Sequence, residues 1–151
     1  MSTVTCRDAT KRDIRAIVEF QLAMARETEE LELNRHVLTR GVEAVFEDRA
    51  LGRYFVAESD GDVIGSLLIT FEWSDWRNGL VWWIQSVYIR PDFRRRGVYA
   101  ALYEHVKSLA EAYEMVKGIR LYVDRRNTAA QDVYRRLGMN GEHYQVFEWM
   151  K

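Results

Sequence analysis

Arg94, Arg95 and Arg96 stand in a row before Gly97, and the apolar run ahead of them stops at Pro91, the only proline in the chain. A helical pattern of Val98, Ala101, Leu102, Val106, Leu109 and Tyr113 begins directly behind. A strand, a short basic turn and a helix start in this order form a cradle for an anion. The first N–H groups of a helix lack intrahelical partners, and the helix dipole favours negative charge in front of them. Three positive side chains at a helix start oppose that dipole unless an anion joins them. Gly97 would let the backbone come close to a ligand. The plainer reading of the same residues is a solvated charge run beside an ordinary turn glycine. No Gly-Lys-Ser/Thr follows and only one glycine is present, so the turn is neither a Walker loop nor a dinucleotide fingerprint. A nucleotide-binding domain on this cradle would also lack a Mg²⁺-ligand motif.

The bulk of the chain suits such a site. Its 151 residues read as a single domain, 1–151, with one sizeable core. Apolar residues make up 48% and charged residues 30%, which is the balance of a globular chain rather than a disordered one. A net charge of −1 offers no electrostatic footprint for nucleic acid. Cys6 is the lone cysteine, so no disulfide framework is expected and a reducing cytoplasm is the natural setting. No apolar run approaches a membrane span, and the His residues show no metal-ligand spacing, so neither a membrane nor a metal is expected.

The elements that must position the cradle follow from periodicity. Residues 3–7 read as a first strand. Thr10 and Asp13 mark a helix start, and Ile14, Ile17, Val18 and Leu22 give its apolar face to about Ala25. Asn34 caps a second helix ending near Gly52. Strands are expected at 54–58, 63–73 and 80–89, joined by tight turns at Ser59-Asp-Gly-Asp62 and Trp76-Arg-Asn-Gly79. After the long helix, a strand at 119–123 should lie parallel to 80–89, as a strand–helix–strand crossover requires. Asn127 starts a last short helix that stops at Gly138, and Tyr144 to Met150 reads as a closing strand. The class is mixed α/β (α+β): strand, two helices, three strands, helix, strand, helix, strand. An antiparallel meander meets a parallel pair, and ligands of open α/β sheets bind at the carboxyl ends of parallel strands.

With these residues in place, the chain resembles a known family. Arg94-x-x-Gly97 behind Val87-Tyr88-Ile89, followed by an apolar helix, is similar to the central motif of the GNAT superfamily of acyl-CoA-dependent N-acyltransferases. Leu121 to Asn127, then Ala130, Tyr134 and Leu137-Gly-Met139, resembles that superfamily's closing motif. The likeness covers roughly residues 80–140. It departs at Tyr99, where the family pattern has a small residue. The resemblance implies a splayed parallel pair with the pantetheine arm of acetyl-CoA lying along Val87, Tyr88 and Ile89. The pyrophosphate would rest on the turn formed by Arg94, Arg95, Arg96, Gly97, Val98, Tyr99 and Ala100. Asn127 would contact the cofactor, although an N-cap role alone would also place an Asn there. Tyr134 would be the acid that protonates the departing thiolate, although a Tyr on an apolar helix face is by itself usually core. A backbone N–H near Val87 would hold the oxyanion.

The acceptor side is less defined. The run 80–89 contains no Asp, Glu or His, so it supplies no base for the attacking amine. Glu72 on the neighbouring strand is the first candidate, followed by Glu29 and Glu30, which with other carboxylates would form an acidic rim for a cationic amine. Ordered water is the alternative route for the proton. Gln85 can orient a substrate. Trp73 and Trp76 either line the acceptor pocket or build a homodimer contact. The expected activity is acetyl transfer from acetyl-CoA to a small-molecule or peptide amine. A non-catalytic module that binds acyl-CoA and regulates something else is the competing function.

Overall fold

The computed structural model describes residues 3–151. They divide into two compact units, one up to Arg120 and one from Leu121 onward. In the first unit, β1 (Val4–Asp8) leads into a single 3-10 turn at Lys11–Asp13 and then α1 (Ile14–Glu29). The expected start is confirmed: Thr10 and Asp13 form a capping box, with the Asp13 carboxylate accepting the Thr10 N–H at 2.7 Å. α1 runs four residues past the expected end at Ala25 and stops at Glu30, whose φ of 52° is left-handed. Asn34 caps α2 (Arg35–Glu47) by accepting from the Val37 N–H at 3.0 Å.

β2 (Arg53–Ser59), β3 (Asp62–Ser74) and β4 (Gly79–Ile89) form the antiparallel meander. Its tight turns carry left-handed residues at Asp60, Gly61 and Asn78, which is the conformation that Asp-Gly and Asn-Gly dipeptides adopt most readily. α3 (Val98–Ala112) crosses over to β5 (Val116–Arg120), giving the sheet order β1-β2-β3-β4-β5 with β4 and β5 parallel. β5 begins three residues before the expected 119. The chain pairs as soon as it leaves α3, with the Leu80 N–H donating to the Met115 carbonyl at 2.7 Å. Gly79 permits this approach: a Cβ there would stand 2.7 Å from that same carbonyl oxygen.

Strand alternation divides the core into two layers. Tyr54 and Val56 of β2 face Ile17, Val18, Leu22 and Val42 of α1 and α2. Phe55, between them, faces the other way and meets His105 of α3 edge-on at 5.6 Å. Phe55, Leu102 and Val106 are fully shielded from solvent, and each such apolar side chain contributes about 1.5–3 kcal/mol relative to its exposed state. Arg7 closes the far edge by donating to both oxygens of Asp13 at 2.8 and 3.0 Å and by pairing with Glu58.

The second unit holds α4 (Thr128–Arg136). Asn127 caps it, accepting the Ala130 N–H at 3.1 Å. Gly138, with a φ of 89°, ends it as expected, and the Met139 N–H returns to the Tyr134 carbonyl at 3.0 Å. The expected strand at 144–150 is not formed; the segment takes no regular structure and its side chains are exposed.

Candidate active site

The site is built on the second half of β4. Opposite Leu67 the strand places two residues, Ser86 and Val87, because Leu68 pairs with Gln85 while Ser66 pairs with Tyr88. This is a β-bulge, and Ser86 takes a left-handed φ of 56° to make it. The bulge reverses the strand's hydrogen-bonding direction. N–H and C=O groups alternate between the two edges of a strand. The Leu80 N–H points to β5, yet the Arg90 N–H, an even number of residues later, points to β3 and donates to the Ile64 carbonyl at 2.8 Å. Val87 and Ile89 therefore direct their N–H and C=O groups away from β3. Pairing with β5 ends at Trp83 and Arg120, so that edge of β4 has no strand beside it from Ile84 onward among the described residues.

α1 holds the bulge in place. Gln21 is buried on the apolar face of α1, and its Nε2 donates to the Ser86 carbonyl at 3.1 Å. One residue earlier, Phe20 packs against Tyr88 with ring centroids 5.3 Å apart and the ring planes tilted by 31°. Glu27, near the end of α1, reaches the anion turn. Arg94 Nη2 donates to its carboxylate at 3.1 Å, Arg94 Nε donates to the Ile89 carbonyl at 2.9 Å, and the guanidinium lies over the Tyr88 ring. Burial, reinforced by the nearby Glu27 carboxylate, pushes the Tyr88 phenol pKa up. Arg94 thus clamps the end of β4 to the end of α1 while its side chain stays partly exposed.

The turn itself is wound tightly. Arg95 and Gly97 both have left-handed φ values, 62° and 78°. Gly97 is the N-cap of α3, and no side chain caps that helix start. The first turn at Val98, Tyr99 and Ala100 thus ends in front of a backbone cradle of the kind that binds phosphate. A Cβ on Gly97 would meet no atom within 4 Å, so the backbone conformation is what calls for glycine, not crowding.

A row of polar side chains lies on the α1/α2 face of the sheet. Gln85 Nε2 donates to Thr70 Oγ1 at 2.6 Å, and Trp83 Nε1 donates to Glu72 Oε1 at 2.7 Å. Arg120 Nη1 donates to the other oxygen of Glu72 at 2.9 Å. Glu72 and Gln85 are brought together here as acceptor-side candidates, but Glu72 is held by a guanidinium and an indole. Trp73 alternates to the opposite face and is half exposed, while Trp76 is almost fully exposed. Glu29 is the last residue of α1 and Glu30 its left-handed cap, both exposed. In the second unit, burial pushes the Tyr134 phenol pKa up.

Four residues that complete the site were not singled out from the sequence: Gln21, Glu27, Thr70 and Arg120. Gln21 carried a signal, because a lone amide among Ile17, Val18, Leu22 and Ala25 must find a partner when buried. Glu27, Thr70 and Arg120 carried none, because each is of a residue type that usually faces solvent.

Comparison with known proteins agrees with this architecture. The model of the acetyltransferase (GNAT) family matches residues 15–139. A possible acetyltransferase from Clostridium difficile 630 is 37% identical, with a TM-score of 0.90 over 98% of this chain and 97% of that one. A predicted acetyltransferase from Clostridium acetobutylicum, solved with acetyl-CoA, is 20% identical with a TM-score of 0.74, over 99% and 95% of the two chains. AAC(6')-Iy, solved with a bisubstrate analogue, CoA-S-monomethyl-acetylneamine, is 17% identical with a TM-score of 0.81, over 99% of both chains. These last two likenesses are of fold. No curated protein matches the sequence. With the family model matched over residues 15–139, the chain belongs to the acetyltransferase (GNAT) family.

Proposed function

We propose that the chain transfers an acetyl group from acetyl-CoA to a primary amine by direct attack within a ternary complex. The observation that carries this reading is the reversed edge of β4. Val87 and Ile89 offer N–H and C=O groups to an extended ligand bearing amides, and the same strand leads into an uncapped helix start suited to its pyrophosphate. The Ile89 carbonyl is engaged by Arg94, which leaves the two groups of Val87 and the Ile89 N–H for such a ligand.

Acetyl-CoA supplies an activated acyl group and a thiolate leaving group. A backbone N–H at the bulge, that of Val87, stabilises the developing oxyanion; a donor held rigidly in this way reorganises little during the reaction. As the N–C bond forms and the C–S bond breaks, Tyr134 gives its proton to the departing sulfur, and the proton shed by the acylated nitrogen leaves through ordered water and restores the phenol. Its raised pKa supports that role, since an acid must be protonated at working pH. Gln85 and the carboxylates Glu72, Glu29 and Glu30 orient or receive the amine. The pairing of Glu72 with Arg120 favours a role in placing charge over one as a free base.

That same pairing, with a β4 that has no carboxylate, supports a second reading as a module that binds acyl-CoA without catalysis. Thiol release from acetyl-CoA in the presence of a panel of primary amines tests the proposal. Amine-dependent release is the expected result. Stabilisation by CoA against melting without any release would favour the binding module, and neither response would overturn both readings.

A further inference from the structure

Two side-chain amides flank the bulge that aims Val87 outward. Gln85 directly precedes Ser86, on the face of the sheet that α1 and α2 cover. Gln21 comes from α1 and is only 6% exposed. Gln85 Nε2 donates to Thr70 Oγ1 at 2.6 Å, and Gln21 Nε2 donates to the Ser86 carbonyl at 3.1 Å. Each amide thus commits its NH₂ group to the protein. The two Oε1 atoms accept no hydrogen bond among the described residues. Neither is sealed from solvent without a partner, so both can accept from a ligand.

The charges around this pair are already matched. Glu72 of β3 accepts from Trp83 of β4 and from Arg120 of β5. Glu27 of α1 accepts from Arg94 of the anion turn. Arg35 of α2 is paired with Glu19 of α1, and Glu29 and Glu30 lie exposed where α1 ends. Tyr88 is buried against Phe20. β4 itself, Gly79–Ile89, contains no Asp, Glu or His. The side-chain oxygens open to an amine beside the bulge are thus neutral ones.

We infer that Gln21 and Gln85 recognise the acceptor as a neutral amine, and so select weakly basic amines, those one carbon away from a carbonyl, over alkyl amines. This deepens the transfer proposed above and rests on it. Two oxygens take the two N–H groups of a neutral primary amine and leave its lone pair to attack. An ammonium ion has no lone pair, and neutral oxygens bring no charge to offset its desolvation. The ammonium proton goes to bulk water before the amine binds. The nitrogen then bonds to the acyl carbon as the C–S bond breaks. Sulfur takes the Tyr134 proton, and the proton shed by the nitrogen leaves through water and restores the phenol. The products are an amide and a free thiol. A chain-end α-amine has a pKa of about 8 and a lysine amine about 10.4, so near pH 7.5 their neutral fractions differ by about 200-fold. The more basic amine is the better nucleophile, as among thiols, which leaves a preference of about tenfold.

Amine-dependent thiol release from acetyl-CoA tests this from pH 6 to 9.5 with three probes. They are an amino-acid amide, an unblocked peptide without lysine, and Nα-acetyl-lysine amide. For the two α-amines kcat/KM is expected to rise to about pH 8 and level off, and for the ε-amine to go on rising past about pH 9. Near pH 7.5 the α-amines are expected to lead by about tenfold. Whichever α-amine is faster names the source, a small molecule or a chain end. Gln85→Glu sets a charge beside the bulge and is expected to erase the preference. An inflection common to all three probes would reveal a base on the protein and overturn the inference. So would a wild-type ε-amine rate that matches the α-amine rates, or an unchanged preference in a Gln85→Glu protein that melts like wild type. Where that variant melts early, the wild-type profiles decide alone. Release with the ε-amine only would overturn the inference and leave acetyl transfer standing. Release with none of the three would overturn both.

Discussion

Arg94 and Glu27 face each other across the anion turn at 3.1 Å, joining the end of α1 to the loop that follows β4. The pair ties the end of α1 to the turn proposed to hold the pyrophosphate. Glu27 also places a negative charge beside a turn built for an anion. Glu27→Gln is therefore expected to tighten CoA binding at low salt by about two- to fivefold, the scale of a partly exposed pair. Isothermal titration at rising salt checks this, since the gain should fade as screening grows. Weaker binding in the variant would mean that Glu27 serves by holding Arg94 in position and not through its charge.

Gly97 has a left-handed φ and open space where a side chain would go. Gly97→Ala should then cost about 1–2 kcal/mol from backbone strain alone. Gly97→Asn should cost less, because Asn tolerates that region better. Thermal melts of the three proteins test the ranking. Equal melting of Ala and Asn variants would show that the turn simply relaxes to another conformation.

Much of this was legible because it is local. Asn78-Gly79 announced a hairpin, Asn34 and Asn127 announced caps, and the periodicity of 98–113 announced α3. The bulge was not legible, because Ser86 makes it with a residue that carries no left-handed signature, where a glycine would have drawn notice. The Glu72–Arg120 pair joins residues 48 apart in sequence, and only the parallel pairing of β4 with β5 brings them together. Tyr144 to Met150 shows the limit from the other side. Its composition is that of a strand, yet it takes no regular structure, because β propensity depends on context more than on composition.

Gln21 donates to the carbonyl of the bulged Ser86. Gln21→Met keeps the volume but leaves that carbonyl without its donor, at about 1–3 kcal/mol. CoA affinity should fall with stability, since the bulge is what aims Val87 outward. Ser86→Gly should go the other way or stay neutral, because glycine accepts the left-handed φ without strain. Denaturant unfolding and CoA titration on both variants check the pair. Unchanged affinity in Gln21→Met would separate the bulge from the cofactor edge.

Asp13 is buried and bound by Arg7. Burial alone would raise its pKa, but the guanidinium and the Thr10 N–H outweigh it and hold the carboxyl below its usual value. A depressed folded-state pKa adds stability that is fully present above the unfolded value, about 3.9, and is lost as pH falls through the folded value. Asp13→Asn should therefore destabilise the fold at neutral pH by about 1–3 kcal/mol, discounted because Arg7 is partly exposed. The difference from wild type should shrink below about pH 4. Denaturant midpoints measured from pH 3 to 7 test this, and a difference that does not vary with pH would assign the loss to packing.

Tyr134 lies on α4, and burial pushes its phenol pKa up from the ordinary phenol value. As the acid for the departing thiolate it must be protonated, so its own ionisation should not lower the rate anywhere below about pH 10. Tyr134→Phe removes the proton and little of the volume. Turnover is expected to fall about 10²- to 10⁴-fold, with the KM for acetyl-CoA within about twofold of wild type, because a group that acts only in the transition state lowers kcat and kcat/KM together. Steady-state kinetics from pH 6 to 10 with a responsive amine would measure both. Full turnover in the variant would move the acid role elsewhere, and a KM that rises alone would make Tyr134 a wall of the cofactor site.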